Sequence, residues 1–434
     1  MSTPLHRRKF LQGTAAAGTA FFVPGLAGPV RAQGANEKLN VGIIGAGGRG
    51  AANLRGVSSQ NVVALCDVDD ERLSKAAREY PKAATFQDFR KLLELPGLDA
   101  VTVSTPDHMH AFATVAALQL GKHVYCEKPL THSVYEARRI AEVAAGKKLA
   151  TQMGNQGHSS TTSRRIVELI RSGALGQIRE VHAWTNRPVW PQGLERPADT
   201  PPTPGSVNWD LWLGSAPERP YNPAYHPFKW RGWWDFGTGA LGDMACHVLD
   251  AAFWALKLGA PISVEAEGPK PHAETAPKWM LIQYEFPARG DLPPVKLTWY
   301  DGGKLPPAEW FDGETVNDNG TLYVGERGKL YVPSEYSGAF KLLPKERFAG
   351  FQPPAPSIPD SPGHHAEWIA ACKSGSPTGS NFAYATALTE AVLLGNVAYR
   401  CGEKLTWDSA ALRATNCPQA EGFVKREYRG GWSL

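Results

Sequence analysis

The sequence predicts an α/β protein in which an N-terminal Rossmann dinucleotide-binding domain is followed by an α+β domain with a large, mostly antiparallel open sheet. Three observations lead to this prediction. Short apolar runs alternate with helical patterns from residue 39 to residue 155, as in a parallel sheet with right-handed crossovers. A glycine-rich turn directly follows the first apolar run. Beyond Val264, segments of alternating polar and apolar residues indicate antiparallel strands.

The glycine-rich turn has the spacing of a dinucleotide-binding fingerprint. The apolar run 41–44 ends in Gly45-x-Gly47-x-x-Gly50, and an alanine-rich segment that can start a helix comes next. Gly45 permits the tight turn, Gly47 lets the backbone approach a pyrophosphate, and Gly50 lets helix and strand pack closely. We expect the pyrophosphate at the N-terminus of that helix, where free N–H groups and the helix dipole favour an anion.

An acidic residue ends the second apolar run and favours NAD as the cofactor. Asp67 follows this run at a position where a carboxylate can hydrogen-bond the ribose hydroxyls of NAD. A carboxylate repels the 2′-phosphate of NADP, and residues 68–70 offer no arginine to receive it, so NADP is the less favoured alternative. The turn after the third main strand faces the same edge of the sheet, so three more residues are candidate cofactor contacts: Ser104, Thr105 and Pro106.

Hydrophobic periodicity places the main elements. Strands of the first domain are expected at 40–44, 61–66, 99–104, 122–126 and 149–153, with helices that include 70–80, 110–120 and 134–145. In the second part, helices are expected at 161–172, 364–372 and 383–399. Strands are expected there at 178–185, 279–286, 295–299 and 321–324.

The first 32 residues are predicted to be a signal peptide for twin-arginine export, with a disordered basic tail as the alternative. Arg7 and Arg8 precede Lys-Phe-Leu and a weakly apolar stretch, and Val30-Arg-Ala32 offers small residues suited to cleavage after Ala32. This leader holds four basic residues and no acid, so the formal charge of +4 falls to zero without it. The charge therefore gives no support for nucleic-acid binding. No run is long and apolar enough to span a bilayer. The twin-arginine signal makes the expected location periplasmic or otherwise extracytoplasmic.

The length of 434 residues predicts two domains after the signal. Residues 37–155 are assigned to NAD(P) binding, and residues 156–434 to substrate binding and oligomerisation. The six cysteines are scattered without CxxC or zinc spacing, so we expect free thiols. His364, His365 and Glu367 do not complete a ligand set, because adjacent histidines point to different sides of a helix. No metal site is predicted.

A proline- and tryptophan-rich segment, residues 187–235, interrupts the second domain. Seven of the fourteen tryptophans lie between positions 184 and 234. A long loop of this kind in a compact domain is usually functional. Flat aromatic faces suit the C–H faces of sugars, but ordinary packing also recruits tryptophan, so both roles stay open.

Two short segments carry groups suited to proton transfer at an alcohol carbon. Lys128 follows a strand end in the first domain. Asp243 and His247 stand four residues apart on a predicted helix that a glycine-rich turn opens, so they share one face. A carboxylate, an imidazole and a nearby lysine form a set that can act as general acid and base. The alternatives are a surface lysine, a helix-dipole partner and a core histidine, and Asp250 on the same face is expected to be structural.

Three motifs in this order resemble the Gfo/Idh/MocA oxidoreductases, which include glucose–fructose oxidoreductase and inositol dehydrogenase: Gly45-x-Gly47-x-x-Gly50, Glu127-Lys128-Pro129 and Asp243-x-x-x-His247. The resemblance implies a tightly placed NAD(P), a sugar or polyol substrate, and a dimer or tetramer assembled through the open sheet. It implies that Lys128 polarises or orients the substrate hydroxyl, that His247 accepts and donates the proton, and that Asp243 orients the substrate or His247. Glu127 and Lys128 are also counted among the cofactor-binding residues.

Residues at the domain junction and in the turn after the third strand complete the candidate site. Asn155 is expected to contact the cofactor, and Gln156 is a further candidate for the nicotinamide or the substrate. His108 and His110 either face the cofactor or serve as helix-entry residues.

Three functions follow from these residues. The leading one is a periplasmic NAD-dependent oxidoreductase that acts on a CH–OH group of a sugar, glycoside or polyol and retains its cofactor. The second is a redox-neutral glycosidase that oxidises a sugar hydroxyl, eliminates the glycosidic group, adds water and returns the hydride. The third is a non-catalytic sugar-binding protein on a dehydrogenase fold.

Overall fold

The first apolar run forms strand β1, and the chain then alternates strand and helix up to β6. This computed structural model describes residues 37–434, so the predicted signal peptide lies outside the described residues. The strands of the first sheet are β1 Asn40–Ile44, β2 Asn61–Cys66, β3 Ala84–Phe86, β4 Ala100–Val103, β5 His123–Cys126 and β6 Thr151–Met153. The helices between them are α1 Arg49–Gly56, α2 Asp70–Glu79, α3 Phe89–Leu93, α4 Asp107–Gln119 and α5 Val134–Ala144.

The first sheet is parallel, and its strand order is β3-β2-β1-β4-β5-β6. The order reverses between β1 and β4, so the turns after these two strands open on opposite sides of one crevice at their carboxyl ends. The Rossmann prediction is therefore confirmed.

One strand and one helix of this domain were not predicted. Strand β3 has three residues and α3 has five, and both are too short for periodicity to identify. Asp88 begins α3, because its carboxylate accepts a hydrogen bond from the Arg90 N–H. This capping aspartate is the local signal that could have located the helix.

The second part of the chain builds a nine-stranded sheet. Its strands are β7 Ile178–Trp184, β8 Ser263–Glu267, β9 Leu281–Phe286, β10 Val295–Tyr300, β11 Gly320–Gly325, β12 Gly328–Val332, β13 Lys341–Leu343, β14 Leu405–Asp408 and β15 Arg413–Ala414. Its helices are α6 Thr161–Arg171, α7 Trp209–Leu213, α8 Gly239–Val248, α9 Asp250–Leu256, α10 His364–Ser374, α11 Phe382–Cys401 and α12 Glu421–Val424. Short 3-10 turns lie at Gln156–Ser159, Lys229–Gly232, Ala308–Phe311, Lys345–Phe348 and Pro418–Ala420.

The strand order of the second sheet is β13-β12-β11-β7-β10-β9-β8-β14-β15. The pairing is antiparallel except between β7 and β10, so the predicted mostly antiparallel sheet is confirmed. Along β9, buried and more exposed residues alternate, which is the period-2 pattern seen in the sequence.

Helix α11 joins the two sheets. Fifteen of its twenty residues are buried, and it contacts α5 of the first domain as well as α8 and β8 of the second. Buried residues of both domains consequently belong to one hydrophobic cluster. A shared core holds the walls of the crevice in a fixed relation, which a site built from both domains requires.

The segment 187–235 contains little regular structure and packs its aromatic residues on one another. Trp212, Tyr225, Trp233 and Phe236 form the buried centre of a separate cluster. Among the described residues, no helix has the length and apolarity needed to cross a membrane.

Candidate active site

A cleft of about 420 Å³ opens at the carboxyl ends of β1, β2, β4 and β5, and the second domain supplies its opposite wall. The first domain contributes the glycine turn, the turns after β2 and β4, and the Glu127-Lys128 pair. The second domain contributes the segment 187–235, helix α8 and Tyr336. The volume is within the range of small-ligand pockets, about 300–1,000 Å³.

The glycine turn has the close contacts that its spacing predicts. Gly45 has a φ of +82°, and a Cβ there would lie 2.6 Å from the carbonyl oxygen of Ser104. A Cβ on Gly50 would lie 1.7 Å from the carbonyl oxygen of Gly45, so only glycine lets α1 pack this closely on the turn. Gly48 precedes α1, and no side chain of the described residues caps the helix. Its N-terminal N–H groups are therefore suited to a pyrophosphate, and the turn fits NAD.

Asp67 braces this turn from the end of β2. Its Oδ2 accepts hydrogen bonds from the N–H groups of Ala46 at 3.0 Å and Gly47 at 2.9 Å, and its Oδ1 accepts one from Asp69 N at 3.1 Å. Burial raises the pKa of Asp67, while these N–H groups act in the opposite direction. The carboxylate lines the cleft, so the predicted ribose contact would add to these bonds and stays a prediction.

Arg72 also reaches the glycine turn, and the sequence analysis missed it. A Cβ on Gly47 would lie 2.5 Å from Arg72 Cδ, so the arginine side chain lies directly over this glycine. Its Nε is 3.4 Å from Asp69 Oδ2. Residues 68–70 include no arginine, but the first turn of α2 brings Arg72 back to the cleft.

The turn after β4 faces the cleft as predicted. Ser104, Thr105 and Pro106 all line it, and Ser104 Oγ accepts a hydrogen bond from Asn53 Nδ2 at 2.9 Å. This places the turn across the crevice from the glycine turn.

His110 connects this turn to the Lys128-Pro129 segment. Its Nδ1 lies 2.7 Å from the carbonyl oxygen of Pro129, and its Nε2 lies 2.8 Å from that of Thr105. Burial opposes a charged ring, but Cys126, Asp107 and the Pro129 carbonyl raise the pKa of His110 to about 9. An imidazolium can donate to both carbonyl oxygens, so this helix-entry residue fixes two segments that face the cleft.

Glu127 is the centre of a buried hydrogen-bond network. Its Oε1 accepts from Arg49 Nε at 2.9 Å, Asn53 Nδ2 at 3.0 Å and Gln156 Nε2 at 3.1 Å. Burial would raise the pKa of Glu127, but the charge of Arg49 and these hydrogen bonds lower it. Arg49, Glu127 and Gln156 line the cleft, so the network holds part of its floor.

The structure brings the predicted catalytic residues Lys128, Asp243 and His247 into this cleft. Lys128 Nζ donates to Asp243 Oδ1 and to the Asp243 carbonyl oxygen, both at 2.8 Å, and the Lys128–Pro129 peptide is cis. Burial would lower the pKa of Lys128, but the Asp243 carboxylate raises it, so the amine is charged. Arg231 Nε lies 3.4 Å from the same Asp243 oxygen. Asp243 therefore orients Lys128, a partner that the sequence analysis did not consider.

His247 presents a neutral imidazole to the cleft. Burial, together with the charge of Lys128, lowers the pKa of His247 to about 3. Its Nδ1 is buried and has no hydrogen-bond partner among the described residues. The exposed ring of Tyr336 packs edge-on against it, with ring centroids 4.9 Å apart. The ring is unprotonated, so it has a nitrogen lone pair that can accept a proton.

Asn155 requires a correction, because it does not reach the cleft. Its Nδ2 donates to Asp250 Oδ1 at 2.8 Å, and its Oδ1 accepts from Ser380 Oγ at 2.6 Å, so its side chain is directed into the core. Asp250 also lies 3.0 Å from His158 Nδ1 and accepts from the Tyr384 hydroxyl at 2.8 Å, which agrees with a structural role. The following residue, Gln156, takes the place at the cleft that was expected for Asn155.

Two tryptophans of the aromatic segment line the cleft, Trp212 and Trp230. Its other tryptophans pack elsewhere, buried or half-buried: Trp190, Trp209, Trp233 and Trp234. Trp184 is buried in β7, before this segment. The segment therefore combines both roles that the sequence left open. It also supplies cleft residues that the sequence analysis missed, such as Arg187, His226 and Phe228. The available signal was the presence of a few basic residues, Arg187 among them, in a segment rich in aromatic residues.

Among residues 37–434, no cluster of histidine, cysteine, aspartate and glutamate is arranged to hold a metal ion. His364 and His365 diverge, since the Nε2 of the first faces the Met153 carbonyl and that of the second faces Asn53 Oδ1. All six cysteines are free thiols.

Comparison with known proteins identifies the family. Residues 39–155 match an oxidoreductase family with an NAD-binding Rossmann fold, and residues 159–434 match the C-terminal alpha/beta domain of the same family. The chain belongs to this Gfo/Idh/MocA family of oxidoreductases.

Individual relatives align with part of the chain. Levoglucosan dehydrogenase of Pseudarthrobacter phenanthrenivorans is 25% identical over 227 residues, which are 50% of each chain. The glycosyl hydrolase family 109 protein of Saccharopolyspora erythraea is 32% identical over 206 residues, 41% of this chain and 45% of its own. The chain thus spans about half the length of the curated relatives it matches. A solved levoglucosan dehydrogenase, in complex with NADH and levoglucosan, has the same fold, with a TM-score of 0.57, 18% identity, and coverage of 85% of this chain and 99% of that one.

Proposed function

We propose that the protein is an exported NAD-dependent oxidoreductase that acts on a CH–OH group of a sugar, glycoside or polyol and keeps its cofactor bound. One observation carries the proposal: a charged lysine, its carboxylate partner and a neutral histidine share one cleft with a turn that fits a dinucleotide. The relatives that act on levoglucosan support a carbohydrate as the substrate.

The two sides of the cleft divide the reaction between them. The glycine turn and Asp67 would hold NAD, which would supply a hydride acceptor for the carbinol carbon. His247 accepts the hydroxyl proton, because burial keeps its imidazole unprotonated. Lys128 stabilises the negative charge that develops on the substrate oxygen, because the nearby Asp243 carboxylate keeps its ammonium charged.

Cofactor retention is supported by a contact between distant parts of the chain. The segment 187–235 pairs with the turn after β2, where Asp70 N donates to Ser206 O and Asn208 N donates to Val68 O, both at 2.8 Å. Val68 lines the cleft at the end of β2, where the adenosine of a dinucleotide lies in a Rossmann domain. We infer that this contact slows cofactor release, which suits an exported protein because free NAD is scarce outside the cytoplasm.

Export by the twin-arginine route rests on Arg7 and Arg8, which lie outside the described residues. Replacing both with lysine is expected to leave the folded protein in the cytoplasm, as measured by fractionation of expressing cells. A wild-type distribution of this double variant would contradict the export proposal.

A redox-neutral glycosidase is the second candidate, because the glycosyl hydrolase family 109 protein is among the relatives. Here the same groups would oxidise a sugar hydroxyl, the acidified neighbouring C–H would lose its proton, the aglycone would leave, water would add, and the hydride would return from the cofactor to the carbon. The two candidates differ in their net redox change.

The test is to load the purified protein with NAD and mix it with levoglucosan, inositol and a panel of glycosides. Net formation of bound NADH with a free sugar or polyol supports the oxidoreductase. Aglycone release without net NADH, with exchange of a ring C–H for solvent deuterium, supports the glycosidase. Failure to observe either reaction, together with binding of the sugar, would indicate a binding protein.

A further inference from the structure

We propose that the substrate end of the cleft contains an anion-binding subsite, formed by Arg187 and Arg231, that selects a sugar or polyol bearing a carboxylate. This inference rests on the proposed function and names the class of substrate that the site takes. Both arginines line the cleft, and both come from the segment 187–235 of the second domain.

The charges around the candidate catalytic residues do not balance. Eight charged side chains line this part of the cleft, five cations and three carboxylates: Arg49, His110, Lys128, Arg187, Arg231, Asp107, Glu127 and Asp243. Arg49 pairs with Glu127 at 2.9 Å, and Lys128 pairs with Asp243 at 2.8 Å. The charges of Asp107 and His110 act on each other. Each carboxylate therefore already has one cation as its partner, and two arginines remain in excess.

The carboxylate nearest to Arg231 is that of Asp243, which already pairs with Lys128. Arg231 Nε is 3.4 Å from Asp243 Oδ1, which accepts the closer bond from Lys128. The guanidinium lies over the rings of Trp230 and Phe228, at 4.3 Å and 4.8 Å from their centroids. These rings hold the guanidinium in place, and its contact with Asp243 puts it beside the reacting groups.

Arg187 has no acidic partner among the described residues. It follows the carboxyl end of β7, where its carbonyl oxygen accepts a hydrogen bond from Gly302 N at 2.7 Å. Its Nη1 donates to Asn186 Oδ1 at 2.6 Å, and Asn186 in turn donates to the Asp318 carboxylate at 3.2 Å. Asp318 therefore engages the asparagine, and the remaining guanidinium donors of Arg187 are available to a ligand.

The cofactor does not account for these cations. Its pyrophosphate belongs at the glycine turn, beneath Arg72, whereas Arg231 contacts the Lys128–Asp243 pair at the catalytic end. An oxidised nicotinamide adds positive charge at that end. Two guanidinium groups in a partly buried cleft are best compensated by a carboxylate, which matches their planar donor geometry.

The test is calorimetric titration of the NADH-loaded protein with matched pairs of acidic and neutral sugars: glucuronate and glucose, galacturonate and galactose, gluconate and sorbitol. We expect the acidic member of at least one pair to bind about 10- to 100-fold more tightly. This preference is expected to weaken as salt increases, because the two arginines are partly exposed.

Arg187→Gln is expected to remove the preference, and Arg187→Lys to retain part of it, with NADH affinity unchanged in both. Arg179→Gln is the matched control, since Arg179 is exposed on β7, the strand that Arg187 follows, and pairs with Glu326 away from the cleft. Equal binding of acidic and neutral sugars, or a preference that survives in Arg187→Gln, would overturn the subsite. Suppose that neutral sugars reduce NAD in the NAD-loaded protein and that acidic sugars are not preferred: only the anion-binding subsite then fails. If no sugar binds or reacts, the proposed function fails as well.

Discussion

The two walls of the cleft are built in different ways. The first-domain wall is shaped by backbone, since glycines allow close contacts at the turn and Asp67 fixes its N–H groups. The second-domain wall is shaped by side chains, since Asp243, His247 and Arg231 act through their functional groups. The difference suggests that one wall holds a constant ligand, whereas the other determines the chemistry and the substrate.

If this comparison is correct, variants of the second wall and of Lys128 should lose catalysis while NAD stays bound. Lys128→Met and His247→Ala are each expected to lower turnover by about 10²-fold or more, because general-base help is typically worth about 10²–10⁴-fold. Asp243→Asn is expected to cost less if it acts only by orienting Lys128. Turnover is measured together with the NAD content of each variant.

Either single variant with wild-type turnover would remove that residue from the proposed chemistry. Loss of NAD together with loss of turnover would show that the two walls are not separable in the way proposed. Such a result would contradict a division of cofactor binding and catalysis between the two walls.

Variants of the first wall should instead lose the cofactor. Gly50→Ala places a Cβ 1.7 Å from the Gly45 carbonyl oxygen, so the turn must move. We expect a destabilisation of about 1–3 kcal/mol, as for other overpacked sites, and loss of bound NAD. Gly205→Ala is the matched control, because no atom lies within 4 Å of its Cβ position. Chemical denaturation measures the stability of both variants, and their NAD content is measured alongside it. If Gly50→Ala retained as much NAD as Gly205→Ala, the backbone of the glycine turn would not be what holds the cofactor.

The glycine turn could be predicted from the sequence because local spacing alone defines it. The parallel sheet, the antiparallel sheet and the presence of Lys128, Asp243 and His247 in one cleft were also predictable, since each follows from periodicity or a motif. What the sequence could not give was the direction of individual side chains.

Asn155 and Arg72 illustrate this limit. Asn155 and Gln156 are neighbours at the domain junction, and only the buried contacts of Asp250 and Ser380 decide which of them turns away from the cleft. Arg72 reaches the glycine turn because the first turn of α2 directs its side chain back toward Gly47. Inspection of residues 68–70 alone does not show this contact. Partners distant in sequence determine both outcomes.

Asp67 offers a finer test of the first wall. Asp67→Ala removes a carboxylate that braces the turn and faces the cleft. We expect NAD binding to weaken by about 1.5–3 kcal/mol, the value of a hydrogen bond to a charged group, with a weaker bias against NADP. Titration of the variant with both cofactors measures the effect. Binding of both dinucleotides as in the wild type would rule out a role for Asp67 in cofactor choice.

A further effect concerns pH and reports on the burial of three histidines of the second domain. Burial lowers the pKa of His247 to about 3 and those of His226 and His364 to about 4. Below about pH 6.5 these three positions therefore bind more protons in the unfolded chain than in the folded one. Their contribution to the free energy of unfolding should be largest above this pH and fall toward pH 4, by up to about 1.4 kcal/mol per pH unit for each fully buried histidine.

Urea denaturation at about pH 7.5, 6 and 5 measures this slope. His226→Gln should reduce it, because one buried histidine no longer opposes protonation. A slope that stays unchanged in this variant, or a stability that does not fall with acid, would contradict the burial of these rings.

The proposed oxidoreductase reaction requires direct transfer of a hydride between a carbinol carbon and NAD held by this cleft. The most direct test uses NAD-loaded protein and a sugar or polyol that carries deuterium on its carbinol carbons, with mass spectrometry of the cofactor after release. The account predicts deuterium in the NADH formed by the wild type, and little labelled NADH in His247→Ala despite full NAD content. NADH that carries no deuterium, or equal labelling in His247→Ala, would contradict it.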